Sequence, residues 1–153
     1  MADVKTGDVV SDFELPDQDG NVRKLSELTA AGPVVLFFYP AAMTTGCTKE
    51  SCHFRDLAAE FAELGAQRVG ISADSVAKQK EFSDKHSFDY PLLSDTDRSV
   101  AESFGVKRRI GALPNKRSTF VIGQDRRIIE VISSELNMDV HADKALATLR
   151  GLK

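Results

Sequence analysis

A run of six residues from Val34 to Tyr39, with the sequence VVLFFY, constrains the fold more than any other stretch of the chain. β-Branched and aromatic residues favour strands, and a strand without alternating polar residues is buried on both faces. Pro40 ends this run. From Thr45 onward the apolar residues recur at helical spacing, which predicts an amphipathic helix. Its inward face carries Phe54, Leu57, Ala58, Phe61 and Leu64.

Cys47 lies seven residues before Phe54, so it shares the inward face of this helix and belongs to its first turn. The first turn has backbone N–H groups without helical partners and the positive end of the helix dipole, and both favour an anion. A thiol placed there should ionise readily, and the thiolate is the reactive form. Thr44 or Thr45 can cap the helix. The alternative for Cys47 is a small buried hydrophobe, but the succession of strand, loop, threonine and helix-start cysteine favours reactivity.

The spacing Pro40-x-x-x-Thr44-x-x-Cys47 resembles the active-site signature of the peroxiredoxins, which are thiol peroxidases. The segment GCTKESC, residues 46–52, is similar to the Q, or bacterioferritin-comigratory, subfamily. The resemblance extends from about residue 6 to the end of the chain and includes RSTFVI at residues 117–122. It implies an α/β, thioredoxin-like fold with a central mixed β-sheet flanked by helices and an N-terminal β-hairpin extension.

Length and composition fit one globular domain covering residues 1–153, large enough for a continuous core. The net charge of −3 argues against nucleic acid as a partner, because phosphate binding requires a basic surface. No segment approaches the roughly 20 apolar residues of a membrane span, and the first residues lack the apolar run of a signal peptide. We therefore expect a cytoplasmic protein without a membrane partner.

The chain has two cysteines, too few for a zinc site unless histidines join them. His53 follows Cys52, but His86 and His141 belong to other predicted helices. A structural disulfide is not expected in the cytoplasm. We expect neither a metal nor a cofactor.

The remaining elements follow from periodicity and turn residues. Near the N-terminus they predict a hairpin turning at Asp19–Asn21 into a strand at Val22–Leu25, followed by a helical turn from Ser26. In the middle of the chain they predict a strand at Arg68–Ala73, a helix at Val76–His86 capped by Asp74 and Ser75, an extended piece at Pro91–Asp95 and a helix at Arg98–Phe104. The last part is predicted as a basic loop at Lys107–Lys116, a strand pair at Ser118–Ile122 and Arg127–Ile132, and a final helix at Val140–Leu149. Alternating strands and helices predict parallel strands with right-handed crossovers.

The resemblance implies a role for each signature residue. Cys47 would attack the peroxide and become a sulfenic acid. Thr44 and the N–H of Cys47 would orient the peroxide, while Arg117 would stabilise the thiolate and the developing charge. Pro40 would shield the site from water. Composition alone leaves open the alternative that Arg117 is a surface arginine in a basic loop. We expect the neighbouring Lys116 to be solvated.

Cys52 is the resolving cysteine implied by the resemblance. A helix places residues five apart with Cα atoms about 8–9 Å from each other, whereas a disulfide tolerates no more than about 7 Å. Our hypothesis is that the first turns unwind after Cys47 is oxidised, so that an intramolecular Cys47–Cys52 disulfide closes. The alternative is that Cys52 is a bystander and that an external thiol resolves Cys47.

Three further features remain open at the level of sequence. Glu50, which we place in the first helical turn, is either part of a network with Arg117 or an ordinary capping carboxylate. Thr45 stands where the family often has proline, and Ala41-Ala42-Met43 replaces a more charged loop. The apolar Met43 favours organic hydroperoxides over hydrogen peroxide.

The function implied is an antioxidant peroxidase, an oxidoreductase that reduces hydrogen peroxide and organic hydroperoxides and is recycled by thioredoxin or a similar thiol reductant. The resemblance favours a monomer, with a weak dimer as the alternative. Two other functions are weighed. A thiol–disulfide oxidoreductase lacks support because no Cys-x-x-Cys pair is present. A redox-responsive binding protein would be oxidised once without turnover.

Overall fold

The computed structural model describes residues 4–107, 115–134 and 137–152. The strands in these ranges are β1 (Glu14–Pro16), β2 (Val22–Lys24), β3 (Val34–Phe38), β4 (Gln67–Ser72), β5 (Leu92–Ser94), β6 (Ser118–Ile122) and β7 (Ile128–Ser133). The helices are α1 (Leu25–Ala31), α2 (Thr45–Asp56), α3 (Ala58–Glu63), α4 (Val76–His86), α5 (Ser99–Ser103) and α6 (Asp139–Arg150).

Five strands form the central sheet, in the order β5-β4-β3-β6-β7. β3, β4 and β5 are parallel, as the alternation of strands and helices predicts. β6 runs antiparallel to β3 and β7 antiparallel to β6, so the sheet is mixed. Helices cover both of its faces. The predicted α/β, thioredoxin-like architecture is therefore confirmed.

The apolar run at Val34–Tyr39 forms the central strand, and all five residues of β3 are completely buried. Val35 and Phe37 pack with α2, α3, α4 and α6 on one face of the sheet. Leu36 and Phe38 pack with α1 and α5 on the other. Because burying one such side chain contributes about 1.5–3 kcal/mol, β3 anchors both layers of the core.

The predicted N-terminal hairpin is confirmed as an antiparallel pair of β1 and β2, separate from the main sheet. Its turn is fixed by Asp17, whose Oδ1 accepts hydrogen bonds from the amides of Asp19 and Asn21 at 2.9 and 3.0 Å. Gln18 attaches the hairpin to the sheet edge, since its Oε1 accepts from the Leu92 amide at 2.9 Å. The hairpin therefore covers the end of β5.

The prediction of one helix running through Phe61 is wrong at Leu57, where the chain leaves helical geometry and separates α2 from α3. Just before the break, the Phe54 carbonyl accepts a hydrogen bond from Arg68 Nη1 at 3.0 Å. This partner comes from β4, so periodicity within the helix could not reveal it. The apolar spacing itself was right, because Phe54 and Phe61 are both completely buried.

Most other predicted elements are confirmed. The bounds of α4 are those predicted, and Ser75 Oγ caps it by accepting from the Lys78 amide at 3.2 Å. The turn predicted at Ser26 is a two-turn helix starting one residue earlier. In the basic loop, residues 108–114 lie outside the described residues. In the described ranges the longest helices have 12 residues, fewer than the roughly 20 needed to cross a membrane.

The surroundings of Gly70 in β4 show how tightly the core packs on the face of the sheet that α2 covers. A Cβ there would lie 2.8 Å from Leu92 Cδ2 and 3.0 Å from Phe37 Cζ, inside ordinary contact distance. We expect Gly70→Ala to lower the free energy of unfolding by about 1–3 kcal/mol in urea denaturation, because the side chains of Leu92 and Phe37 must shift. Gly151→Ala is the control, since its Cβ would meet only ordinary contacts. Equal stability of the two variants would contradict this packing.

Candidate active site

Cys47 lies in the first turn of α2, where the chain enters the helix from the loop after β3, and its side chain is completely buried. The first helical hydrogen bond runs from the Thr48 amide to the Thr44 carbonyl at 2.9 Å. The amides of Thr45, Gly46 and Cys47 precede that bond, so no helical carbonyl accepts from them. The predicted inward orientation of Cys47 at a helix start is therefore confirmed.

Arg117 directly precedes β6, and the pairing of β6 with β3 places it beside Cys47. Ser118 pairs with Phe38, the last residue of β3, so the residue before Ser118 lies at the sheet edge where α2 begins. The Arg117 guanidinium donates through Nη2 to Cys47 Sγ at 3.4 Å. Its side chain is 6% exposed, so it is not the surface arginine that composition left open. The proximity implied by the resemblance is observed, while a catalytic role for Arg117 stays a prediction.

Glu50 is the second partner of Arg117, whose Nη1 donates to Glu50 Oε1 at 2.7 Å. Burial disfavours the charged form of Arg117, but the Glu50 carboxylate and the Cys47 sulfur outweigh it, so the pKa of Arg117 is raised. The prediction that Glu50 lies in the first helical turn is wrong, because α2 begins at Thr45 and Glu50 is its sixth residue. Glu50 is completely buried and bonded to Arg117, so it is not an ordinary capping carboxylate.

His141 and Thr119 extend this cluster, and the sequence did not single them out as site residues. His141 is completely buried; its Nδ1 lies 2.8 Å from Thr119 Oγ1 and 3.6 Å from Glu50 Oε2. Two features of the sequence could have identified Thr119 and His141 as site residues. Thr119 follows Arg117 by two residues in an extended segment and so shares its face. His141 lies four and eight residues before Ala145 and Leu149, on the buried face of α6.

The loop before α2 carries the other signature residues. Pro40 is buried two residues after the end of β3. Thr44 occupies the N-cap position, but its side chain makes no cap hydrogen bond, so the capping prediction is wrong for its hydroxyl. Oγ1 of Thr44 donates instead to the Ala41 carbonyl at 2.8 Å, because the loop folds back on itself. Thr44 is exposed, and Met43, with φ of 70°, is partly buried against the core.

Gly46 lets the guanidinium approach the cysteine. A Cβ at this position would lie 3.2 Å from both Arg117 Nη2 and Met138 Cε. Real Cβ contacts are rarely that short, so a larger residue would press on the nitrogen that faces Cys47 Sγ. The glycine between the signature threonine and cysteine therefore protects the Arg117–Cys47 contact.

Cys52 is half-buried in the same uninterrupted helix as Cys47, and both thiols are free. Helical geometry keeps their Cα atoms about 8–9 Å apart, beyond disulfide reach. Burial raises the pKa of the Cys52 thiol, while Arg55 lowers it and Asp56 raises it further. One residue before Cys52, the Tyr90 hydroxyl donates to the Ser51 carbonyl at 2.7 Å and holds this turn in place.

Among the described residues, no group of three or more His, Cys, Asp or Glu side chains is arranged to hold a metal ion. The chemistry available at this site is that of a buried thiol beside a guanidinium, two thiols on one helix, and helix-start amides. This combination on a thioredoxin-like sheet defines a thiol-based redox enzyme.

Comparisons with known proteins agree with this class. The model of the AhpC/TSA family matches residues 6–131. A Mycobacterium tuberculosis protein whose name assigns it to the peroxiredoxins is 64% identical over 152 residues, covering 98% of this chain and 99% of that protein. Chloroplastic peroxiredoxin Q of Suaeda salsa is 38% identical, and the match covers 99% of this chain and 71% of that protein. The crystal structure of peroxidoxin BcpB from Mycobacterium tuberculosis is 66% identical with a TM-score of 0.94, covering 98% and 99%.

The chain therefore belongs to the AhpC/TSA family of peroxiredoxins, and its relatives include peroxiredoxin Q. It is a thiol-dependent peroxidase, an oxidoreductase that uses a thioredoxin-like reductant. The resemblance seen in the sequence is confirmed at the level of the family.

The raised pKa of Cys52 predicts slow alkylation in the folded protein. In a Cys47→Ser variant, which leaves Cys52 as the single thiol, we expect the iodoacetamide rate to rise with pH along a curve displaced to higher pH than that of the urea-unfolded chain. A raised folded pKa stabilises α2 below the unfolded pKa of the thiol, and this contribution is lost as pH rises through the folded pKa. Coincident curves for folded and unfolded protein would contradict the prediction.

Proposed function

We propose that Cys47 is the peroxidatic cysteine and Cys52 the resolving cysteine of a peroxidase acting on hydrogen peroxide and organic hydroperoxides. One observation carries the proposal: the Arg117 guanidinium contacts Cys47 Sγ while its other arm is held by the buried carboxylate of Glu50. A cation fixed beside a helix-start sulfur favours the thiolate, and it stays in place for the transition state.

In the peroxide step the Cys47 thiolate attacks one peroxide oxygen in line with the O–O bond. An S–O bond forms, the O–O bond breaks, and the second oxygen leaves as hydroxide or alkoxide, which takes up a proton. Arg117 and the amide of Cys47 donate to the oxygens as this charge develops. Thr44 donates to Ala41, which leaves its hydroxyl oxygen as an acceptor for the peroxide O–H. Pro40 closes the site against water.

Oxidation changes the charge at the site and thereby prepares the second step. The thiolate is an anion, whereas the sulfenic acid is neutral, so Arg117 loses the negative charge that Cys47 presents to it. The first turns of α2 are then held less strongly. Unwinding them brings Cys52 within reach of Cys47 and restores an ordinary pKa to its thiol, because burial was the main cause of the rise.

The Cys52 thiolate attacks the sulfenic sulfur of Cys47. An S–S bond forms, the S–O bond breaks, and water leaves after the hydroxyl takes up a proton. The resulting disulfide closes a loop that cannot be helical, so it is strained and readily reduced. Thioredoxin or a similar dithiol supplies the two electrons that regenerate both thiols.

Both cysteines lie on one helix, so the cycle needs no second copy of the chain, and we propose a monomer. The cytoplasm is the proposed compartment, because the cycle requires a reducing thiol supply. The net charge of −3 disfavours nucleic acid, and we propose no nucleic-acid or membrane partner.

Cysteine variants test the assignment. We expect Cys47→Ser to abolish peroxide consumption because the nucleophile is lost. We expect Cys52→Ser to react once with peroxide but to turn over poorly with thioredoxin, since no disulfide forms. Nonreducing peptide mapping after one equivalent of peroxide should give an intramolecular Cys47–Cys52 link. Undiminished peroxidase activity in Cys47→Ser would refute the proposal, and an absent link would assign resolution to an external thiol.

Arg117 provides a second test, measured as the second-order rate constant for Cys47 oxidation in stopped-flow experiments. We expect Arg117→Ala to reduce it about 10²–10³-fold, the range for losing one preorganised donor to developing charge. Lys116→Ala is the matched control, because Lys116 is the exposed neighbour with the same formal charge. Equal effects of the two substitutions would mean that Arg117 acts only through the general field of the loop.

A further inference from the structure

A buried chain of four ionisable groups leads from the Cys47 site to the last helix. Cys47, Glu50 and His141 are completely buried, and Arg117 is 5% exposed. Successive members are separated by 3.4 Å from Cys47 Sγ to Arg117 Nη2 and by 2.7 Å from Arg117 Nη1 to Glu50 Oε1. The last step is 3.6 Å, from Glu50 Oε2 to His141 Nδ1. His141 takes no part in the proposed peroxide and resolving steps.

The contacts of the His141 ring indicate where its protons lie. Nε2 is 2.8 Å from the Ser134 carbonyl oxygen, which can only accept, so Nε2 carries a hydrogen. Nδ1 lies 2.8 Å from Thr119 Oγ1 and 3.6 Å from Glu50 Oε2. A hydroxyl can donate or accept, so Thr119 fits either state of Nδ1. Nδ1 and Glu50 Oε2 are too far apart for a hydrogen bond but within ion-pair distance, so the carboxylate favours a positively charged ring that carries a hydrogen on Nδ1.

The charges of the four groups also favour a hydrogen on both ring nitrogens of His141. With Cys47 as a thiolate, Cys47 and Glu50 are two buried anions that both contact the guanidinium of Arg117 within the described part of the chain. A buried charge without sufficient compensation is costly. An imidazolium at His141 would restore neutrality and would place the charges in alternating order along the chain.

We propose that His141 is a positioning residue of the site and carries a hydrogen on both ring nitrogens, so that imidazolium, carboxylate, guanidinium and thiolate alternate. The inference rests on the proposed function, in which Cys47 reacts as a thiolate. His141 touches neither the sulfur nor the peroxide. It holds Glu50, Glu50 holds Nη1 of Arg117, and Nη2 is thereby kept on the sulfur.

Other charged groups near α6 lie closer to solvent. The elements packed against α6 are α2, β6 and β7. From α2 comes His53, which pairs with Asp143 of α6 at 2.8 Å, and the Asp143 side chain is 60% exposed. From β7 comes Glu130, partly buried and paired in register with Val121. Water screens such groups, so they act more weakly on His141 than Glu50 does.

The protonation state can be read directly by long-range ¹H–¹⁵N NMR of the imidazole rings in the reduced wild-type protein at neutral pH. The chain has three histidines, and a His141→Gln spectrum identifies the signal of interest. We expect both ring nitrogens of His141 to show the shifts of protonated nitrogens. A lone-pair shift at Nδ1 would overturn the inference, whatever the variants do.

The positioning role is measured by the rate constant for Cys47 oxidation. Glutamine at position 141 can keep the hydrogen bond to the Ser134 carbonyl but carries no charge. We expect His141→Gln to lower the rate constant roughly tenfold, the size of effect seen for outer partners of a contacting group. His53→Gln is the matched control, because it removes an exposed histidine–aspartate pair between the same two helices and should change the rate by less than about twofold.

A double-mutant cycle separates positioning from general loosening of the structure. If His141 acts through Glu50, then His141→Gln should have no further effect in a Glu50→Gln background. Full additivity of the two substitutions would reduce His141 to a structural residue and overturn the inference.

Cys47→Ser distinguishes failure of this inference from failure of the proposed function. Activity that survives in Cys47→Ser would refute the function itself. An inactive Cys47→Ser together with a lone-pair nitrogen at His141 would refute only the role of His141. Should His141→Gln not fold, the spectra of His53→Gln and His86→Gln assign the other two rings, and the remaining wild-type signal decides.

Discussion

The buried ion pair between Arg117 and Glu50 is the interaction on which the site depends. Burying two charges is expensive, and a hydrophobic pair of similar volume often serves stability equally well. The geometry indicates what this pair provides instead. Glu50 accepts from Nη1 at 2.7 Å and so fixes the plane of the guanidinium with Nη2 on Cys47 Sγ. The pair therefore determines position, and the helix is tied to the sheet at the reacting atom.

In the proposed cycle helix α2 meets two opposed requirements, because it is folded in the peroxide step and unwound for disulfide formation. Its two halves are held by different forces. Near Cys47 the contacts are polar and depend on the charge of the sulfur. Farther along, Phe54 stacks on Phe37 with ring centroids 4.2 Å apart, and this contact is independent of redox state. In the proposed cycle, oxidation thus loosens the half that carries the two thiols while aromatic packing holds the other half on the sheet.

The parts of the fold that the sequence could predict are those encoded by neighbours within a few residues. The apolar run identified β3, the spacing from Phe54 turned Cys47 inward, and Ser75 marked the start of α4. The parts it could not predict depend on distant partners. The break at Leu57 accompanies a bond from Arg68, and Glu50 is buried by an arginine 67 residues away. Periodicity within one helix cannot distinguish such a carboxylate from an exposed one.

Sheet register explains why the anions and the cations of the site come from different elements. Ser118 pairs with Phe38, which fixes Arg117 at the edge of the sheet, and His141 is held on α6 by the Ser134 carbonyl. Cys47 and Glu50 belong to α2, the element that unwinds in the proposed cycle. The positive groups therefore remain assembled when the negative ones leave. In the proposed cycle, reduction of the disulfide returns a thiolate and a carboxylate to a preformed group of positive charges, so electrostatic attraction favours refolding of the helix at that step.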